Sequence, residues 1–193
     1  MKLFGLTGGI GMGKTTSGRL LSERSIPTID TDILARNLVE PGLPAFAEII
    51  ELFGPSIVSS EGQLRRDELA RKVFRDHTAL RSLENILHPR IRELWKAEVE
   101  KWRAVGCAIG VVTIPLLFET DAQSEFDSVI CVACSNQTQR QRLHERGWSN
   151  EQIELRLASQ WPVEKKIAKS DFVIWTDTTL EAHAAQLDRI MVA

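Results

Sequence analysis

Apolar residues along this chain gather into short β-rich runs, at Leu3 to Leu6, Thr28 to Ile29, Ala108 to Ile114, Val129 to Ala133 and Phe172 to Trp175. Between them, apolar side chains recur every three or four positions, the spacing that lines one face of a helix. Strands alternating with helices predict an α/β fold, a parallel five-stranded sheet flanked by helices on both faces. Right-handed crossovers put the first strand inside such a sheet, and the loops at the carboxyl ends of the strands gather around one ligand crevice.

Two long intervals interrupt the rhythm. From Ile33 to Gly106 there is no strand pattern, while helical spacing appears at 45–53, at Asp67 to Phe74, at Leu80 to Leu87 and at Ile91 to Trp102. Pro41, Gly42, Gly54, Pro55 and Pro89 mark the breaks. A helical insertion of this size over the carboxyl edge is where an acceptor substrate is expected, although the same periodicity suits an extension that only enlarges the core. Trp95 and Trp102, seven apart, read as core residues. In the second interval, Gln137 to Arg146 and Ser149 to Gln160 read as two helices joined at Gly147, carrying Arg140, Arg142, Arg146 and Arg156. Arg142 and Arg146, four apart, share a helical face. Glu145, Glu151 and Glu154 make a solvated surface one reading of this pair; a cationic lid over a phosphoryl donor is the other.

The donor is signalled near the start. Gly8-Gly9-Ile10-Gly11-Met12-Gly13-Lys14-Thr15 is a G-x-x-x-x-G-K-[ST] run between the apolar segment 2–7 and a helical pattern from Thr16 to Arg24. Glycines let successive backbone N–H groups turn inward around an anion. Lys14 then reaches the β and γ phosphates, Thr15 offers its hydroxyl to Mg²⁺, and the following helix aims its positive end at the same anion. Such a loop places the fold in the P-loop NTPase type. For the base that receives a proton from an attacking hydroxyl, the candidates are Asp30 and Asp32, which end the second strand. Two apart in an extended chain on a strand beside the first, they are expected to point together towards Gly11 and Lys14; Asp32 also suits the N-cap of a helix from Ile33 to Val39. The organisation expected is one domain over 1–193, with a core at about 1–32, 107–135 and 170–193, an acceptor-binding insertion at about 33–106 and a lid at about 137–165.

Composition narrows the setting. A net charge of -2 argues against nucleic acid as the main partner. No apolar run reaches the length of a bilayer span and the N-terminus lacks a signal pattern, so a cytoplasmic protein with no membrane partner is expected. Cys131 and Cys134 make a C-x-x-C spacing inside and just past a strand, without further cysteine or histidine ligands nearby, and read with Cys107 as inert reduced thiols.

Together these residues resemble the dephospho-CoA kinase family. The resemblance runs through Gly5 to Gly11 with Gly13 and Lys14, Ile29-Asp30-x-Asp32 with Arg36, Val39-x-Pro41-Gly42, Leu87-His88-Pro89-x-Ile91, Pro115-Leu116-Leu117-Phe118-Glu119, Arg142-Leu143, and Arg156 with Gln160. It implies ATP-dependent phosphorylation of the ribose 3′-hydroxyl of dephospho-CoA, with ATP and Mg²⁺ as the cofactors and a monomer or weak homo-oligomer as the working form. By the same resemblance, Gly11, Met12, Gly13, Lys14, Thr15 and Thr16 bind the ATP phosphates and Asp32 is the base. Arg142, Arg146 and Arg156 belong to the lid, and Arg36, Pro115, Leu116 and Glu119 lie on the acceptor side with the helical insertion. Mg²⁺ is held by Thr15, with Asp32 or Asp30 through water. The chain departs from the family at Met12, at Gly147-Trp148 after Arg146, and at Trp175-Thr176-Asp177, where an Asn-containing turn is usual. Rival readings are another small P-loop kinase, acting on a nucleoside monophosphate or a sugar, and a nucleotide switch protein, whose guanine-binding elements do not occur here.

Overall fold

The computed structural model describes residues 1–192, and the chain divides into two compact units, Met1–Asp30 with the chain from Val99 onward, and Thr31–Glu98. The first opens with β1 (Lys2–Thr7), α1 (Lys14–Glu23) and β2 (Thr28–Asp30). The second holds α2 (Thr31–Leu38), α3 (Pro44–Phe53), α4 (Arg66–Val73) and most of α5 (His77–Ala104). The first then resumes with β3 (Ile109–Thr113), β4 (Ser128–Ala133), α6 (Asn136–Glu145), α7 (Asn150–Ala158), α8 (Val163–Lys169), β5 (Phe172–Trp175) and α9 (Leu180–Met191).

The strands form one parallel sheet in the order β2-β3-β1-β4-β5. Every residue of β1 after Lys2 is buried, as a strand covered on both faces requires. Phe4, Leu6, Val111, Ile130, Val132 and Ile174 of the strands pack with Leu20 and Leu21 of α1 and Leu187 and Ile190 of α9 into one core. The first strand is interior, as the crossover rule predicts. The expectation that β2 lies beside β1 is corrected: β2 pairs only with β3, which stands between them. Trp102 is buried against Gly110, where a Cβ would meet the indole ring at 2.7 Å.

The second unit has its own core of Val39, Ile49, Ile57, Leu69 and Val73, with Leu80, Leu83, Ile86 and Leu87 packed against it. Here Pro89 does not end a helix as its position suggests: α5 runs 28 residues with Pro89 inside it. A proline there removes one helical N–H and leaves the Asn85 carbonyl without its usual partner. Packing of Ile86 and Leu87 into the core outweighs that loss. The Arg90 guanidinium also fastens the turn, donating to the Ile86 carbonyl at 2.6 Å and to Glu48 at 2.6 Å. Among the described residues no helix is long and apolar enough to cross a membrane.

Because Pro89 sits in an otherwise regular helix, Pro89→Ala is expected to stabilise the protein by about 1–2 kcal/mol, the restored hydrogen bond outweighing the freer unfolded chain. A urea titration of both proteins measures this, and a lower midpoint for the variant would contradict it.

Candidate active site

The loop between β1 and α1 shows why the glycines are where they are. A Cβ on Gly8, at φ 145°, would collide with the Val132 carbonyl of the adjacent strand, so the chain leaves the sheet only through glycine here. Gly13, left-handed at φ 104°, stands at the N-cap of α1 without a capping side chain, and no acidic residue occupies the first turn of that helix. The helix start is thus open to an anion. Met12 is buried, with its sulfur packed against Gly9.

From Gly8 to Gly13, each loop carbonyl accepts a hydrogen bond from a side chain. Lys14 Nζ donates to Gly8 O at 2.8 Å and Gly9 O at 2.9 Å. Gln139 Nε2 donates to Ile10 O at 2.7 Å, and Arg142 reaches Gly11 O at 3.4 Å. Thr176 Oγ1 donates to Met12 O at 2.9 Å, and the Ser17 hydroxyl reaches Gly13 O at 3.3 Å. The N–H groups of Gly11, Gly13, Thr15 and Thr16, by contrast, meet no acceptor among the described residues. Carbonyls held from behind leave the amides available in front, which is the arrangement an oligophosphate needs.

Other predicted residues take more specific positions. Arg142 donates to the Thr176 carbonyl at 2.6 Å and to its hydroxyl at 2.9 Å, so its guanidinium braces the turn after β5. Arg146, at the C-cap of α6, is exposed and makes no ion pair with a described residue. Sharing a helix has therefore not given the two arginines one environment. Arg156 lies over the Trp148 ring at 4.3 Å, and Arg140 pairs with Glu154, joining α6 to α7. Glu119, expected on the acceptor side, is engaged within the first unit. Its Oε1 accepts from Trp161 N at 2.7 Å and from the fully buried Lys166 at 2.9 Å, while Oε2 is buried without a partner. The Pro115 carbonyl is likewise taken, by Lys166 at 2.7 Å and Thr7 at 3.2 Å, and Leu116 O by the Thr120 hydroxyl.

Asp30 closes β2, and the chain turns into α2 at Thr31, with Asp32 in its first helical turn. The expectation of two carboxylates on one face of an extended chain is corrected by that turn, and Asp32 lies inside the helix rather than at its N-cap. Asp32 and Arg36, four apart on α2, share a face of the second unit. Burial raises the Cys131 thiol to about 11 and pushes Cys134 up as well, which makes both inert.

Sequence reasoning missed Gln139, Thr176 and His183. The signal for Gln139 was available: it lies three residues before Arg142 on α6 and hence on the same face. Thr176 stood in a turn read only as a departure, and nothing in the sequence marked His183, whose Nε2 lies 2.8 Å from the Ser17 hydroxyl in the core.

Exposed Thr15, whose hydroxyl meets no hydrogen-bond partner among the described residues, fits Mg²⁺, which keeps most of its shell as water and phosphate and takes one or two protein ligands.

Comparison with known proteins adds four findings. A family model described as dephospho-CoA kinase matches residues 2–182. The dephospho-CoA kinase of Bdellovibrio bacteriovorus is 39% identical over 191 residues, 99% of this chain and 95% of that one. Among solved structures, TT1252 of Thermus thermophilus superposes with a TM-score of 0.83 at 31% identity, covering 99% of this chain and 96% of that one. The dephospho-CoA kinase of Campylobacter jejuni gives 0.71 at 25% identity, covering 100% and 96%.

Burial, helped by the nearby Arg142 charge, depresses the His183 pKa below its ordinary 6.5, so the folded protein keeps this ring neutral. The resulting stabilisation is fully present above pH 6.5 and is lost as the pH falls towards the depressed folded value, because only the unfolded chain takes up the proton. The urea midpoint of the parent is expected to drop between pH 7 and pH 5.5 by more than that of His183→Gln; equal drops would remove His183 as the cause.

Proposed function

Because this chain belongs to the dephospho-CoA kinase family, we infer that it transfers the γ-phosphoryl group of ATP to the ribose 3′-hydroxyl of dephospho-CoA, giving coenzyme A and ADP. The observation that carries the donor half is the loop itself, with carbonyls from Gly8 to Gly13 all engaged and the amides of Gly11, Gly13, Thr15 and Thr16 left open.

The 3′-oxygen attacks the γ-phosphorus in line, the bond from phosphorus to the β–γ bridging oxygen breaks, and the electron pair leaves with ADP. The hydroxyl proton passes to Asp32, the base we assign. Little covalent work falls to the protein, so its contribution is placement and neutralisation of charge. The open amides of Gly11, Gly13, Thr15 and Thr16 bind the triphosphate. Lys14 exchanges its carbonyl partners for phosphate oxygens when the nucleotide enters. Of the three arginines assigned to a lid, exposed Arg146 is placed to meet phosphate, and Arg156 lines the same hairpin. Arg142 supports the loop, reaching the donor only by releasing Thr176. Thr15, with Asp32 or Asp30 through water, would hold Mg²⁺, whose charge would offset the negative charge that develops on transfer. Arg36 and the helices of the second unit are assigned to the acceptor.

Incubation with Mg-ATP and dephospho-CoA, followed by ³¹P NMR, is expected to place new phosphate at the ribose 3′ position; phosphate on a different acceptor alone would refute the reading. Lys14→Ala is expected to lose about 3–4 kcal/mol of transition-state stabilisation, read from kcat/KM. Asp32→Asn should lower kcat about 100-fold or more, and near-parental turnover would remove the base assignment.

A further inference from the structure

Ile10 is the one loop residue whose peptide groups are gripped on both sides by glutamines. Gln139 Nε2 donates to its carbonyl at 2.7 Å, and its N–H donates to Gln160 Oε1 at 3.1 Å. The orientation of each amide follows from its partner, since a backbone carbonyl only accepts and a backbone N–H only donates. Gln139 is 3% exposed, so its amide, unpaired, would be left away from water.

The two glutamines come from the two roots of one hairpin. Gln139 is on the first turn of α6, and Gln160 lies just past the end of α7, where its own N–H caps the Leu157 carbonyl. Between them the helices are joined by the Arg140–Glu154 pair. The second root is also anchored to the core: Trp161, next to Gln160, donates its N–H to Glu119, and its ring stacks on Phe118 with centroids 6.2 Å apart. Both ends of the hairpin thus close on one residue of the phosphate loop, through the two peptide groups that flank Ile10.

We propose that Gln139 and Gln160 are positioning residues for ATP, which lock the two peptide groups flanking Ile10 so that the loop amides beyond it stay aimed at the phosphates and the α6–α7 hairpin stays in register with the donor. The inference rests on the kinase reading above. A peptide free to rotate would turn one carbonyl towards the anion and lose the preorganisation on which the cradle depends. Neither glutamine need touch the nucleotide.

The test uses the full-length protein with Gln139→Ala, Gln160→Ala, Gln139→Glu and Gln160→Glu. Both alanine variants are expected to raise the KM for ATP about tenfold or more, with a smaller fall in kcat. Amide exchange at Ile10, followed by NMR in nucleotide-free protein, is expected to accelerate about tenfold or more in Gln160→Ala. Gln160→Glu keeps an acceptor facing the N–H and should restore protection. Gln139→Glu puts a carboxylate oxygen against the Ile10 carbonyl and should match or exceed the loss in Gln139→Ala. That asymmetry between two substitutions of equal size is not expected of residues that merely pack. Unchanged KM for ATP in both alanine variants, or equal effects of the two glutamate variants on Ile10 exchange, would overturn the proposal. Should the parent turn over no dephospho-CoA, the kinase reading fails instead, and calorimetric titration with ATP together with the exchange data still decides the role of the glutamines.

Discussion

The loop's hydrogen bonding cannot be satisfied by the loop. Amides that converge on a point force the carbonyls of the same peptides to diverge, and each diverging carbonyl left buried without a donor would cost about 1–3 kcal/mol. In this protein the donors arrive from Lys14, Ser17, α6 and the turn after β5. Much of the first unit's architecture follows from that need. β4 lies directly beside β1, which brings α6 up behind the loop, and β5 beyond β4 delivers Thr176. A parallel sheet in this order puts the ends of β1, β4 and β5 at one edge, so three separate segments can serve six residues of backbone.

This explains why the fold was legible and the support of the site was not. Strands buried on both faces read as short apolar runs, and all of those runs proved to be strands in one sheet. The G-x-x-x-x-G-K-T spacing is local, so the cradle was legible too. Gln139 and Thr176 act through single hydrogen bonds to a backbone more than a hundred residues away, and polar residues on a charged helix and in a turn look the same with or without such a bond. Pro89 misled for a related reason. Its local preference to break a helix was real, but the surrounding turns were committed to packing that only the folded unit reveals.

Arg142 and Arg146 show how far helical spacing can be trusted. Four residues apart placed them on one face of α6, yet one is half-buried against Thr176 and the other is exposed at the helix end. Spacing fixes azimuth, while depth depends on what the face approaches, and the approach changes within one turn where a helix leaves the core. The same holds for Asp30 and Asp32, where the strand's two-residue period ceased to apply once the chain entered α2.

Lys166 and Glu119 pose the sharpest energetic question in the first unit. A fully buried lysine paired with a carboxylate that retains an unpartnered oxygen is a poor source of stability, since desolvation of two charges offsets much of their attraction. What the pair does contribute is geometry. One ammonium binds Pro115 O after β3 and Glu119, while Glu119 binds Trp161 N beside Gln160, and Pro115 O also accepts from Thr7 at the end of β1. Apolar side chains of equal volume would fill the space but would leave the Trp161 amide unanswered, the Pro115 carbonyl with Thr7 alone, and the three segments free to slide. A charge pair with fixed bond directions is therefore the arrangement that keeps the end of β1, the turn after β3 and the root of the hairpin in one register beneath the phosphate loop.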